Sequence, residues 1–227
     1  MKIALFDIGD TLVYRQEDDK TVELRFLNQY LNQNSKDFEA IVSEKYQKFQ
    51  EKLFTKSSSK TNSLFKENKF YAQYLTEILE ELGLDCFSSD DISEITKLRF
   101  TINRYHLSTG VYILLQSLIN SKIEIGIASN GKPSRREVLK VLGIDRFINK
   151  DLVFISDEMR LQKPEYEFFN TVSMKVRNHF KNDSHIFLID DDLENCRIAN
   201  TLVNWTSIHY SRETNKNNEI LEVILNT

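Results

Sequence analysis

The chain has 227 residues, with 41% apolar and 28% charged side chains, six glycines, two prolines and a net charge of −4. That composition fits a soluble globular protein of one large domain, or one domain carrying an inserted subdomain, with little sequence left for flexible linkers. The acidic balance speaks against a nucleic-acid or membrane-surface partner, because both require a basic footprint.

The first predicted strand covers residues 2–7, a short apolar run that ends in Asp7 and is broken by Gly9 and Asp10. From about residue 18 to 106 the text is rich in Lys, Glu, Gln, Asn and aromatics, and no strand pattern is evident. Helices are expected over 22–31, 38–54, 64–82 and 91–105, with a loop over 56–62. The third of these is the clearest, since Tyr71, Tyr74, Leu75, Ile78, Leu79 and Leu82 share one face and Gly83 follows. The pattern then turns to alternating strand and helix. Thr109 is placed to cap a helix that carries Val111, Leu114, Leu115 and Leu118. Strands are expected over 123–128, 152–155, 185–190 and 206–210, and helices over 134–142, 164–180, 195–202 and 218–225. This order implies an α/β fold with a Rossmann-like parallel sheet and helices on both faces.

Two cysteines, Cys86 and Cys196, make no disulfide framework and read as ordinary buried or half-buried thiols. The apolar opening stops at Asp7, too soon for a secretory leader, and no run approaches the ~18 apolar residues of a membrane span. A cytoplasmic protein is the expectation.

In an open parallel sheet, ligands bind beyond the C-terminal ends of the strands. Three predicted strands end there in Asp7, Ser129 and the pair Asp190-Asp191, and Lys163-Pro164 opens a nearby helix. Carboxylates gathered at one edge repel each other, and a hard cation such as Mg²⁺ is the usual remedy. Lysine supplies a compact charge for phosphate oxygens, and serine and loop amides supply neutral donors. Each piece also has a plain reading: a strand-end Asp before Gly, or Ser-Asn-Gly, is ordinary turn chemistry, and an acidic run suits a helix N-terminus.

Taken in order, Phe6-Asp7-Ile8-Gly9-Asp10-Thr11-Leu12, Ala128-Ser129-Asn130-Gly131, Lys163-Pro164 and Ile189-Asp190-Asp191 with Asn195 resemble the four motifs of the haloacid dehalogenase superfamily. The resemblance covers residues 1–14 and 108–210, and the insert between them is similar to the helical (C1-type) cap of that superfamily. It divides the chain into a core of residues 1–15 and 107–227 and an all-α cap of residues 16–106. The acidic pair and Asn195 look most like the small sugar-phosphate phosphatases and the phosphatase domain of soluble epoxide hydrolases.

The resemblance implies a Mg²⁺-dependent phosphomonoester hydrolase acting on a small phosphorylated metabolite, with Asp7 as nucleophile. Asp7, the Gly9 carbonyl and Asp191 would hold the metal, with Asn195 and Asp190 behind them. Ser129, Asn130 and Lys163 would bind the phosphoryl oxygens, Lys163 also offsetting the charge of Asp7.

One position departs from the pattern. The superfamily's phosphatases usually carry an acid/base Asp two residues after the nucleophile, where this chain has Gly9. Asp10, one residue later, is a displaced candidate for that role, or else a residue that only caps the loop. Gly9 therefore also motivates an alternative, a phosphate- or metabolite-binding regulatory protein with weakened chemistry. A halide-releasing hydrolase is disfavoured, since such relatives usually carry a bulky aromatic at this position. Of the remaining candidates, His106 reads as a hinge or surface residue, and Lys132 could touch a substrate phosphate from its loop but reads by default as a solvated loop lysine. Phe65, Phe70, Tyr71 and Tyr74 read as core of the helical insert before they read as a pocket lining.

Overall fold

A computed structural model describes residues 1–54, 61–100, 104–180, 184–212 and 217–227. In chain order, β1 (Lys2–Phe6) leads to a two-residue β2 (Val13–Tyr14). The helices α1 (Asp19–Leu31), α2 (Lys36–Phe54), α3 (Leu64–Glu81) and α4 (Ser89–Leu98) follow. Next come β3 (His106–Leu107), α5 (Val111–Asn120), β4 (Glu124–Ser129), α6 (Arg135–Val141), β5 (Val153–Ile155) and α7 (Ser156–Met159). The chain ends with α8 (Tyr166–Phe180), β6 (His185–Asp190), α9 (Leu193–Leu202), β7 (Thr206–His209) and α10 (Asn217–Asn226).

These elements form two compact units, Met1–Tyr14 with Tyr105–Thr227, and Arg15–Arg104. The first is an α/β unit whose parallel sheet has the order β5-β4-β1-β6-β7. Alternation along β1 explains the two layers of core. Ala4 and Phe6 pack with Leu114, Leu115 and Leu118 of α5 and with Ile220 and Ile224 of α10. Ile3 and Leu5 face the other way, toward Phe168, Phe169 and Val172 of α8 and Ala199 of α9. Both faces are covered, as a parallel sheet requires. Within β4, a Cβ on Gly126 would stand 2.5 Å from the carbonyl oxygen of Leu152, in the turn just before β5, and 2.7 Å from Leu5 of β1, so the close approach of these segments requires glycine there.

The second unit is helical, with a core of Phe26, Leu27, Phe38, Val42, Leu75 and Ile78. Asp18 caps α1 through the Thr21 amide at 2.9 Å, and Ser88 with Asp91 closes a capping box on α4. Tyr71 and Tyr74 belong to the core, Phe70 packs against it, and Phe65 is exposed. The unit also buries charge. Glu23 accepts from the Tyr71 hydroxyl and from Arg104 at 2.9 Å, and Arg99 pairs with Glu67 at 3.2 Å while stacking over the Tyr71 ring.

Several expectations need correction. The helix expected over 91–105 ends at Leu98, and His106 lies in β3, where it pairs with Tyr14 across an antiparallel ladder. That ladder draws residues 105 and 106 into the α/β unit, so its boundaries fall at Tyr14 and Tyr105 instead of 15 and 107. Thr109 does not cap α5; Gly110 holds the cap position in a left-handed conformation with no side-chain bond. Cys86 is exposed, whereas Cys196 is buried and its thiol is pushed up to about 11 by burial and by Asp190. Residues 56–60 of the expected loop lie outside the described residues.

Candidate active site

The sheet order places β1 in the middle, with β4 and β5 on one side and β6 and β7 on the other. The chain direction across the sheet therefore reverses beside β1, and the crevice at the C-terminal ends of β1 and β6 is where such a fold receives ligands. Asp7 is the first residue beyond β1, fixed by its amide to the Ile189 carbonyl at 2.9 Å, and Asp190 closes β6. Ser129 closes β4 and is buried.

Lys163 joins these strand ends. Its Nζ lies 2.8 Å from Oδ1 of Asp7 and 2.5 Å from Oδ2 of Asp190, and the residue is only 3% exposed. Burial opposes the lysine charge, but Asp7 and Asp190 together hold its pKa above the ordinary lysine value. Burial also lifts Asp7 above the usual carboxylate range, with Asp190 adding to the lift and Lys163 and the Ser129 hydroxyl opposing it.

Asn130 fixes the backbone of Lys163 from both sides: Nδ2 donates to the Lys163 carbonyl and the Lys163 amide donates to Oδ1, each at 2.8 Å. Both ends of the Asn130 side-chain amide are thus committed to holding the lysine, which leaves its backbone amide as the group of this residue that faces the expected phosphate role. Asp190 is likewise saturated, its Oδ1 accepting from the Asp192 amide at 2.9 Å and from Asn195 Nδ2 at 3.0 Å. Asp192 caps α9. Lys132 is not a solvated lysine; it pairs with Asp157 at 2.7 Å.

Asp191 is held differently. Thr11 donates to its Oδ1 at 3.2 Å, and His209 Nε2 donates to its carbonyl oxygen at 2.9 Å. Withdrawal from water, then the nearby charges of Asp7 and Asp190, push the Asp191 carboxyl up to about 6. Sequence reasoning missed Thr11 and His209 as supports. Thr11 stood inside the first motif, but nothing in the linear text connects it to a residue 180 positions away.

Asp7, Asp190 and Asp191 thus lie at one edge, and the single ammonium group there, Lys163, pairs with the first two only, which leaves an excess of negative charge. The Asn195 Oδ1 atom is buried without a hydrogen-bond partner. An all-oxygen donor set with surplus charge and an unsatisfied oxygen beside it fits a hard divalent cation. Among the described residues no group of three or more His, Cys, Asp or Glu side chains is arranged to hold a metal ion. The donor set expected here has only two side chains, Asp7 and Asp191, the third donor being the Gly9 carbonyl.

Gly9 adopts no conformation reserved for glycine, and a Cβ placed on it would lie 3.8 Å from Oδ2 of Asp7. Asp10 is exposed with a φ of 52° and takes part in none of the bonds that link Asp7, Lys163 and Asp190.

No family model matches this chain, and no curated protein matches it. Solved structures match over almost its whole length. A HAD-family enzyme from Bacteroides thetaiotaomicron superposes with a TM-score of 0.55 at 17% identity, covering 97% of this chain and 98% of its own. The chain has the haloacid dehalogenase (HAD) fold. A HAD-superfamily hydrolase from Ehrlichia chaffeensis shares it, with a TM-score of 0.51, 16% identity and coverage of 100% and 98%. So does an L-2-haloacid dehalogenase from Xanthobacter autotrophicus, with a TM-score of 0.50, 15% identity and coverage of 92% and 76%. In this HAD fold the strand ends that carry Asp7, Ser129 and Asp190 form one edge, bridged by Lys163.

Proposed function

We propose that the chain is a Mg²⁺-dependent phosphomonoester hydrolase that acts through phosphorylation of Asp7, with a small cytosolic phosphate ester as substrate. The observation that carries this reading is the buried Lys163 ammonium shared between Asp7 and Asp190 at the crevice of the sheet. It keeps a carboxylate charged in a low-water site and adds positive charge where a phosphoryl group would arrive. One neighbour supports it: the Bacteroides enzyme forms a complex with magnesium and inorganic phosphate.

In the proposed reaction an Asp7 oxygen attacks phosphorus. The Asp–O–P bond forms as the bond to the leaving oxygen breaks, and the leaving oxygen takes its proton from water because position 9 offers no acid. Water then attacks the phosphoaspartate, the P–O bond to Asp7 breaks, and inorganic phosphate and the free carboxylate are returned. Ser129, Lys163 and the backbone amide of Asn130 hold the phosphoryl oxygens. Asp7, Asp191 and the Gly9 carbonyl would hold Mg²⁺, and Asn195 would orient water beside them. Bound there, Mg²⁺ would withdraw charge from the phosphoryl group. The test is phosphate release from an aryl phosphate with and without Mg²⁺, in the wild type and in Asp7→Asn. Equal rates in the two proteins would overturn the reading.

Gly9 favours a second reading, a phosphate- or metabolite-binding protein that kept the fold with weakened chemistry. The space beside Oδ2 of Asp7 that an acid would fill is open. This reading expects no turnover across a panel of phosphate esters, together with a rise in melting temperature when a phosphate analogue and Mg²⁺ are added. Turnover would exclude it.

A further inference from the structure

The loop that follows β4 carries more positive charge than holding the site together requires. Lys132 is paired with Asp157 at 2.7 Å. Arg136 makes a two-pronged pair with Glu158 at 2.9 and 2.8 Å and also reaches the Val153 carbonyl. Lys163 is paired with both Asp7 and Asp190. Arg135 differs from all of these. No carboxylate pairs with its guanidinium among the described residues, and its Nη1 is buried without a hydrogen-bond partner.

Arg135 is nonetheless firmly placed. Its guanidinium lies over the ring of Tyr105, 5.0 Å from the centroid. Its Cγ and Nε fill the space where Gly131 lacks a side chain, 3.0 Å from the position a Cβ would take. Gly131 is two residues beyond Ser129 in the loop that presents the site. The arginine is thus packed against the phosphate-side loop and lacks the anion that its neighbours have. An unpaired, buried guanidinium nitrogen costs more than stacking on one tyrosine returns, so stacking alone does not account for the placement.

We propose that Arg135 reads a second anionic group on the substrate, so that the preferred phosphate ester also carries a carboxylate or a further phosphate. The planar fork of arginine suits either group, since both present two oxygens to it. Arg135 is in this account a specificity residue, placed by Gly131 and Tyr105. The inference rests on the reading of the Asp7–Lys163 edge as a phosphate site.

The test is calorimetric binding, in the presence of Mg²⁺, of three phosphonates that are not hydrolysed: ethylphosphonate, 3-phosphonopropionate and propane-1,3-bisphosphonate. The full-length wild type is expected to bind one of the last two about 10-fold more tightly than ethylphosphonate, on the scale of a charge-assisted pair. Whichever of the two wins identifies the second group as carboxylate or phosphate. Arg135→Gln should reduce the preference to near unity. Tyr105→Leu, which keeps the guanidinium and removes its platform, should lower it by a smaller factor and checks the assignment independently of how Arg135→Gln folds. A wild type without the preference, or an Arg135→Gln protein that retains it, overturns the inference. Preferential binding by a chain that releases phosphate from no ester would overturn the hydrolase reading alone. Ester hydrolysis without the preference would overturn the role of Arg135 alone.

Discussion

A methyl group on Gly9 would stand 3.8 Å from Oδ2 of Asp7 and meet no other non-adjacent atom within 4 Å. Position 9 is thus open toward the proposed nucleophile, and its backbone would accept a side chain. Gly9→Asp should fold normally and place a carboxyl beside Asp7. General acid catalysis is worth ~10²–10⁴-fold where the leaving group needs a proton. The substitution should therefore raise kcat/KM for alkyl phosphates at least ~10-fold and for nitrophenyl phosphate much less. Equal changes for the two classes would count against the acid/base argument.

Asn130 holds the Lys163 backbone through two hydrogen bonds of 2.8 Å. Asn130→Ala removes both and leaves a buried amide and carbonyl to find other partners. A loss of about 1–3 kcal/mol in stability is expected, measured by denaturant unfolding. Turnover should fall by ~10-fold or more, because the ammonium between Asp7 and Asp190 loses its anchor. A variant with wild-type kcat would show that Lys163 is positioned by its ion pairs alone.

Asp191 has its pKa raised to about 6, above the ordinary carboxylate value of 3.8 that the unfolded chain would show. The stability that its protonated form contributes is complete below about pH 4 and is lost as pH rises through about 6. Above that window the metal-free protein carries an unfavourable charge. Asp191→Asn should raise the melting temperature of the metal-free protein at pH 7. After allowance for solvent screening the gain is at most about 1 kcal/mol, or ~2–4 °C. The same substitution should abolish any stabilisation by Mg²⁺. A melting temperature that rises equally with Mg²⁺ in both proteins would remove Asp191 from the metal set.

Gly126 lies in mid-strand, where a Cβ would press on the Leu152 carbonyl at 2.5 Å. Since backbone is the obstacle, Gly126→Ala must part β4 from the chain around Leu152. A cost of about 1–3 kcal/mol is expected, read as a lower midpoint in urea with an unchanged slope.

That glycine also shows where sequence reading stops. Gly126 looks like a mild flaw in a strand, because the Leu152 carbonyl that requires it belongs to a distant segment. Asp7, Ser129 and Asp190 were legible because each ends an apolar run, and strand period and breakers are local signals. Lys163 was legible through its motif, and its charge partner Asp7 through the resemblance, but its second partner Asp190 was not. Asn130 illustrates the same limit. Its residue type and place were readable, while its use as a clamp depends on a backbone 33 positions away. In the helical unit Glu23 and Arg99 sit in text that reads as polar surface, yet both are buried, because Tyr71, Arg104 and Glu67 come from other parts of the chain to meet them. Boundaries slipped where the deciding contact was a two-residue ladder, Val13-Tyr14 against His106-Leu107, too short to leave a periodic trace.

The central claim is that Asp7 becomes phosphorylated. Rapid acid quenching of a single turnover of an aryl phosphate with Mg²⁺, followed by mass spectrometry of the peptide that contains residue 7, tests it directly. The account expects a phosphoryl group on Asp7 that appears with the released phenol, decays as inorganic phosphate forms, and is absent in Asp7→Asn. Phosphate release at an undiminished rate in Asp7→Asn, or turnover of the wild type with no phosphoryl group on that peptide at any quench time, would contradict it.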